Sequence, residues 1–136
     1  MLPLAVVLLA TGAYAQKNTT APAAAKAAFQ KAYPNATKVK WGKEDADYEV
    51  NFTLASKELS AVYDAAGGLK ETEEDIKLSE LPASVNGYIK QHYKGAVIKE
   101  AAKITKAGGE VNYEAEVNKT DVIFDKDGKF LKEEKD

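Results

Sequence analysis

The chain has 136 residues, a formal net charge of −2 and no cysteine. All 19 basic residues are lysine, which lacks the planar fork with which arginine reads phosphates and guanine edges. A nearly neutral chain without arginine is therefore a poor candidate for nucleic-acid binding. Without cysteine, the chain has neither disulfides nor a lipid-modified cysteine to anchor it.

The N-terminus has the pattern of a signal peptide. The apolar run Met1–Gly12 is too short to span a bilayer, and Ala13 and Ala15 fit the small-residue positions before a signal-peptidase cut. We therefore predict cleavage between Ala15 and Gln16, which gives a periplasmic or secreted product without a stable membrane anchor. No lysine or arginine precedes the run, which a start codon assigned too late would explain. The alternative is a buried N-terminal strand or helix.

The rest of the chain carries the same pattern twice. The offset between matched blocks changes along the chain, which indicates loop insertions and deletions between blocks that keep their order. Such a repeat indicates duplication of one structural unit. The matched blocks are Pro22–Ala36 with Pro82–Ala96, Asp47–Phe52 with Asn112–Val117, and Val62–Leu69 with Ile123–Phe130.

Each copy begins with a helical pattern. A proline stands in the first turn, where its missing N–H costs nothing, and Pro34 and Gly95 end the two helices. Apolar residues recur at helical spacing in both copies. They are Ala25, Ala28, Phe29 and Ala32 in copy one, and Val85, Tyr88, Ile89 and Tyr93 in copy two.

About four short strands follow each helix. Apolar and polar residues alternate in them, as is typical of an antiparallel sheet with one buried and one solvated face. Glycines at 67–68, 108–109 and 128 lie where hairpins must turn. The alternation sets Tyr48, Val50, Phe52 and Leu54 against Glu49, Asn51 and Thr53, and Val111, Tyr113, Ala115 and Val117 against Asn112, Glu114, Glu116 and Asn118.

The predicted fold class is α+β, with two tandem repeats of a helix plus an antiparallel sheet in two layers. The joining segment Asp75–Leu81 is too short for a flexible linker, so we expect the repeats to form one compact domain. The predicted boundaries are a signal peptide at 1–15, a short segment at 16–21, repeat one at 22–75 and repeat two at 76–136.

A broad polar face remains if the helices cover the apolar face of the sheet. Such a face is either plain solvated sheet or a docking platform for a protein partner. Trp41 alternates with Val39 and is expected on the core side, where it either packs or anchors a partner, as tryptophan often does. The candidate partner-binding residues are Lys38, Lys40, Trp41, Glu49, Asn51, Thr53, Glu114, Glu116 and Asn118.

In copy one, a helix is followed by Tyr33–Ala36, by alternating strands and by Val62–Leu69. This order resembles the PepSY-like, β-lactamase-inhibitor-like family of secreted and periplasmic proteins, common in Bacteroidetes. Copy two, with Tyr93–Ala96 and Ile123–Phe130, resembles a second module, so that the resemblance extends over residues 20–134. It implies helices on an antiparallel sheet, a periplasmic or secreted location and no known catalytic activity. Related proteins of this shape inhibit enzymes by laying a concave sheet on the target, and some members are described as calcium-regulated.

The inventory of reactive side chains argues against an enzyme. His92 is the only histidine and there is no cysteine, so a zinc site lacks ligands. No serine lies in a nucleophile elbow, and no glycine pair precedes a helix as a phosphate loop would. We expect no catalytic residue and no required cofactor. An unrecognised enzyme is the least favoured alternative.

Asp125 and Asp127 are the candidate metal ligands. Aspartates at alternate positions followed by Gly128 resemble the start of a calcium loop, but an Asp-Gly hairpin turn explains the same residues and is favoured. The predicted function is an exported, non-catalytic protein that docks an unknown cell-envelope protein, as inhibitor or scaffold. The alternative is a calcium-responsive periplasmic protein.

Overall fold

The computed structural model describes residues 20–135. The predicted signal peptide and its cleavage site lie outside these residues. Within them, neither α-helix has the length and hydropathy needed to cross a membrane. In chain order the elements are α1 (Ala23–Ala32), β1 (Thr37–Glu44), β2 (Asp47–Leu54), β3 (Lys57–Tyr63), β4 (Leu69–Ile76), a 3₁₀ turn (Leu78–Glu80), α2 (Ala83–His92), β5 (Glu100–Lys106), β6 (Val111–Val117), β7 (Thr120–Asp125) and β8 (Phe130–Lys135).

The eight strands form one antiparallel sheet in which each strand pairs with the next along the chain. Helix α2 separates β4 from β5 in sequence, yet these strands pair directly, with Glu73 opposite Ile104. The two repeats therefore share one continuous sheet. The predicted α+β class, with a helix and four strands in each repeat, is confirmed.

The two repeats bury equivalent residues against equivalent helices. In repeat one, Ala25 and Phe29 of α1 pack on apolar residues of β2 and β3; in repeat two, Val85 and Ile89 of α2 pack on β6 and β7. The register of strand pairing places both sets on the same face of the sheet. The strand residues are Val50, Phe52, Ala61 and Tyr63 in repeat one, and Ala115, Val117, Val122 and Phe124 in repeat two.

We call the opposite side of the sheet, which neither helix covers, the open face. Strand pairing puts most acidic strand residues on this side, while Lys43, Lys57, Lys103 and Lys135 lie on the helix side. The fold therefore gathers most strand acids on one side of the sheet. The open-face acids include Glu49, Glu58, Glu71, Glu73, Asp75, Glu100, Glu114, Glu116, Asp121 and Glu134, and the lysines of this side include Lys38, Lys40, Lys70, Lys106 and Lys132.

Strand β1 departs from simple alternation. A bulge lies between Thr37 and Lys40, and Lys38 has φ 52°. An inserted residue bends the strand and interrupts the pairing locally. Val39, expected on the core side, is 41% exposed beside this bulge, whereas Trp41 packs against the core of repeat one as predicted.

Candidate binding surface on the open face

A cleft of about 520 Å³ opens at the repeat-one end of the open face. It brings together four of the predicted partner-binding residues, which come from the β1 bulge and from β2. It also includes acids of β3 and β4 that the sequence did not single out. The polar lining residues are Lys38, Lys40, Asn51, Thr53, Glu58, Ser60, Glu73 and Asp75.

Glu73 and Glu114 meet across the middle strand of the open face. Glu73 of β4 lies opposite Ile104, and Glu114 of β6 lies opposite Ala102, so only β5 separates them. Their carboxyl groups are hydrogen-bonded to each other, which requires one of them to keep its proton. Glu114 had been expected on a solvated surface, but it is only 5% exposed and Glu73 only 6%.

The burial of this pair has an electrostatic consequence. Desolvation raises the pKa of Glu73 well above its ordinary value, and the charge of Glu114 raises it further. Desolvation also raises the pKa of Glu114, with the charge of Asp121 as the next cause. Apart from this bond between the two carboxyl groups, the Oε2 atoms of Glu73 and Glu114 have no hydrogen-bond partner among the described residues.

Glu49 and Asp75 extend this acidic region over the neighbouring strands. Burial, followed by the charge of Glu44, raises the pKa of Glu49 to about 7. Burial, followed by the charges of Glu58 and Glu100, raises the pKa of Asp75 to about 6. The open face thus carries carboxyl groups that hold protons more tightly than free side chains do.

Apolar side chains are interleaved with these acids. Val62 of β3, Ala102 and Ile104 of β5 and Ile123 of β7 all take the open side in the register of pairing, and each is buried. The prediction of a uniformly polar face was therefore incomplete. Because these residues are already buried, they add little exposed apolar area to the open face.

Trp41 and Asn118 are not part of this surface. Trp41 lies on the helix side, edge-on to Phe29 with ring centroids 5.7 Å apart, and it lines a separate groove of about 590 Å³ with Tyr33 and Val39. Asn118 has φ 52° in the turn between β6 and β7 instead of continuing strand β6. Glu116 does lie on the open face, paired with Glu100.

Asp125 holds the turn between β7 and β8. Its Oδ1 atom accepts hydrogen bonds from the backbone N–H groups of Asp127 at 2.8 Å and Lys129 at 3.0 Å, and these bonds, that of Lys129 first, lower its pKa. Asp127 forms an ion pair with Lys126. In residues 20–135, no group of three or more acidic, histidine or cysteine side chains could hold a metal ion. Calcium binding at Asp125 and Asp127 stays a prediction.

His92 lies at the end of α2. Its Nδ1 atom is 3.0 Å from the carbonyl oxygen of Tyr88, and the two rings stack with centroids 3.9 Å apart. These contacts lie within one helix and on the side of the sheet away from the open face. They give His92 a local packing role.

Comparison with known protein families identifies the chain's relatives. The family described as beta-lactamase-inhibitor-like, PepSY-like matches residues 13–71 and 46–132. The chain belongs to this family. Two matched segments fit the tandem modules seen in the structure. No curated protein matches this PepSY-like chain.

Solved structures of similar fold come from Bacteroides species. A protein from Bacteroides eggerthii, to which a periplasmic location has been ascribed, is 18% identical over 85% of this chain and 89% of the other, with a TM-score of 0.76. A DUF2874 family protein from Bacteroides ovatus is 21% identical over 86% and 89%, with a TM-score of 0.73. A BLIP-like protein from Bacteroides fragilis is 24% identical over 87% and 89%, with a TM-score of 0.64. These identities show a shared fold.

Proposed function

We propose that this protein is an exported, non-catalytic binding protein of the cell envelope that docks a protein partner on its open face. The observation that carries the proposal is the one-sided arrangement of the helices. Both pack on the same side of one eight-stranded sheet, so neither described helix packs on the other side. Membership of a beta-lactamase-inhibitor-like family supports a binding role.

The chemistry of the open face supports docking as well. The acids of this face supply charge complementarity, which gives specificity to association. The cleft at the repeat-one end adds a concave feature bounded by Lys38 and Lys40 on one side and Asp75 on the other. A partner that is an enzyme would be inhibited by coverage of its active site; any other partner would be scaffolded.

An envelope location rests on two further features. The N-terminal sequence has the pattern of a signal peptide, and a structurally similar Bacteroides protein has been ascribed to the periplasm. Expression of the full chain with a C-terminal tag, followed by cell fractionation and N-terminal sequencing, tests this part of the proposal. A product that starts at Gln16 in the periplasm or medium is expected. An uncleaved cytoplasmic product would contradict it.

Partner capture tests the docking surface directly. The tagged protein serves as bait in an envelope extract of the source organism, beside an Asn51→Arg variant in the cleft and a Lys31→Glu control on α1. Both positions are exposed, so neither change should disturb folding. We expect the wild type and the control to enrich the same protein and Asn51→Arg to lose it. Equal capture by all three baits would place docking elsewhere and overturn the proposal.

A further inference from the structure

We propose that the outer edge of β1 takes up an extended acidic segment of a partner protein, which pairs with β1 as a further strand of the sheet. This is a second binding surface, and it does not depend on docking at the open face. Strand β1 is an end strand: it pairs with β2, and no described strand pairs with its other edge. Extended peptides add to sheets at such edges, where the backbone groups of the end strand are open to pairing.

A groove lies beside this edge, between β1 and helix α1. It has a volume of about 590 Å³ and is lined by Phe29 and Tyr33 of repeat one and by Val39 and Trp41 of β1. Val39 is 41% exposed, so the groove offers apolar surface that is open to solvent. A strand added to β1 directs every second side chain to the helix side, where the groove can receive it. Backbone pairing then gives affinity, and the groove selects an apolar side chain.

Repeat two shows what covers the equivalent edge. Lys43 of β1 lies opposite Tyr48, and Lys103 of β5 lies opposite Tyr113, which matches Tyr48 in the repeat. Strand β5 is therefore the counterpart of β1. Its outer edge is covered by β4, whose sequence is Leu-Lys-Glu-Thr-Glu-Glu-Asp-Ile. The strand that this fold already places on such an edge is thus extended and acidic.

The pairing of β4 with β5 indicates which residues the partner segment should carry. Glu74 lies opposite the counterpart of Lys43. Two residues further along β4, Ile76 lies opposite Ala101, the counterpart of Trp41. A strand added to β1 in the same register places an acid at the first position and an apolar residue, beside the groove, at the second.

The charge at this end of the protein is complementary to an acidic segment. Every charged residue from Thr20 to Lys43 is a lysine, and the first acid of the chain is Glu44. The chain as a whole has a net charge of −2, so α1 and most of β1 form a basic region on a chain that is acidic elsewhere. Complementary potentials steer a partner to its site and exclude those of the wrong sign. The lysines of this region are Lys26, Lys31, Lys38, Lys40 and Lys43.

Lysines and a bulge commonly protect an edge strand from pairing. The bulge of β1 is confined to Thr37–Lys40, and the register with β2 is regular over 40–44, which leaves room for a short strand. The lysines exclude strands of like charge and accept a strand that carries acids. They disfavour a second copy of this chain, because the counterpart of Glu74 in β8 is Lys135, which would lie opposite Lys43.

A titration followed by NMR tests the proposal. The probe is an acetylated, amidated peptide with the sequence of β4, residues 69–76. One control peptide has glutamine or asparagine in place of each acid, and a second has methyl groups on its backbone nitrogens, which prevents strand pairing. We expect saturable shifts of the backbone amides of Val39, Trp41 and Lys43 with the acidic peptide only. Binding of either control as tight as that of the probe overturns the proposal, as do shifts confined to other strands.

Three exposed positions supply the protein variants. Lys43→Glu sets an acid against the acid of the probe and should weaken binding about tenfold. Val39→Asp puts a charge into the groove and should weaken binding as well. Lys135→Glu, on β8 at the other edge of the sheet, is the matched control and should bind as the wild type does.

Unchanged binding by either Lys43→Glu or Val39→Asp overturns the proposal. A loss with Lys135→Glu as large as that with Lys43→Glu also overturns it, because net charge alone would then account for the binding. An unaltered amide spectrum outside β1 and α1 verifies that the variants are folded.

Discussion

Asp64 and Asp125 hold the same turn in the two repeats, each through one Oδ1 atom that accepts two backbone N–H groups. Asp64 accepts hydrogen bonds from the backbone N–H groups of Ala66 at 3.0 Å and Gly68 at 2.8 Å. Asp125 accepts the equivalent bonds from Asp127 at 2.8 Å and Lys129 at 3.0 Å. The resemblance of the Asp125 loop to a calcium site therefore has a structural explanation, because an aspartate at this position organises the hairpin by itself.

Removal of the Asp125 side chain should destabilise the protein. Asp125→Ala deletes both hydrogen bonds and is expected to lower the thermal midpoint by several degrees. Asp125→Asn keeps the acceptor oxygen, so its midpoint should lie close to that of the wild type. Thermal melting by circular dichroism measures the difference. A loss for Asn equal to that for Ala would show that the charge, and not the turn, is what matters.

Calcium should leave the thermal midpoint unchanged. The Oδ1 atom of Asp125 is already used by the backbone, and Asp127 forms an ion pair with Lys126. Any ion bound only by the native state raises the midpoint, so melts in millimolar calcium and in chelator decide the question. A rise that Asp125→Asn and Asp127→Asn abolish would establish the calcium-responsive alternative.

Gly128 is required for close packing of the turn against α2. It has φ 85°, and a Cβ atom there would lie 2.9 Å from Cβ of Pro82 and overlap Oγ of Ser84, which donates a hydrogen bond to the Gly128 carbonyl oxygen. Gly109 also has a positive φ, 97°, but its Cβ would meet nothing within 4 Å.

Gly128→Ala should therefore cost more than Gly109→Ala. Conformational strain alone accounts for about 1 kcal/mol in both, and the contact with the helix should add about 1 to 3 kcal/mol at Gly128. Urea denaturation gives both free energies of unfolding. Equal losses would mean that α2 moves away freely, which would contradict the packing of the turn on the helix.

Much of the fold follows from residue spacing. The matched blocks place Ala25 with Val85 and Phe29 with Ile89, and these are the helix residues that reach the two cores. Period-two alternation assigned the faces of β2 and β6 correctly because each strand has a continuous apolar side. The Asp-x-x-Gly turns were predictable as well, since aspartate and glycine each have a known part in such a turn.

The site was harder to predict because it depends on pairing between distant strands. The run Glu71–Ile76 contains acids on both sides of β4, so alternation alone does not show that Glu73 faces Glu114. The register of β4 with β5 pairs residues that α2 separates in sequence, such as Glu73 and Ile104. The period-two spacing of Glu71, Glu73 and Asp75 was the one available signal. The β1 bulge likewise has no marker in sequence, so the exposure of Val39 was not predicted.

The shared sheet predicts that both repeats unfold together. Ile89→Ala removes a buried side chain of α2 in repeat two and should cost about 2 to 5 kcal/mol. Trp41, the only tryptophan, reports on repeat one, where it packs on Phe29. If the pairing of β4 with β5 couples the repeats, the unfolding transition followed by Trp41 fluorescence should show the whole loss of stability. It should also coincide with the transition followed by circular dichroism. A fluorescence transition unchanged by Ile89→Ala would show two independent units.

The buried acids predict that stability falls as pH rises above the ordinary pKa of glutamate. Burial raises the pKa of Glu49, Glu73 and Glu114 in the native state, so the native protein holds more protons than the unfolded chain above about pH 5. Their stabilising protonation is complete below the unfolded pKa and is lost as pH rises through the native value, which is about 7 for Glu49. The other charged groups on this face include Lys40, Glu44, Asp47, Glu58, Lys70, Glu71, Asp75, Glu100, Lys106, Glu116, Asp121, Asp125, Lys132 and Glu134.

Glu114→Gln should remove much of this pH dependence. The glutamine amide can donate a hydrogen bond to Glu73 without carrying a charge into the sheet, so the variant should be more stable than the wild type at pH 8 by about 1 to 3 kcal/mol. At pH 5, where the pair is protonated, the two proteins should be nearly equal. Urea denaturation across this range, with Glu74→Gln as the control on the other face of the sheet, measures the slope. A stability gain at pH 5 as large as that at pH 8 would mean that charge burial is not the cause, and a loss at pH 8 would mean that the ionised pair is already satisfied in the native state.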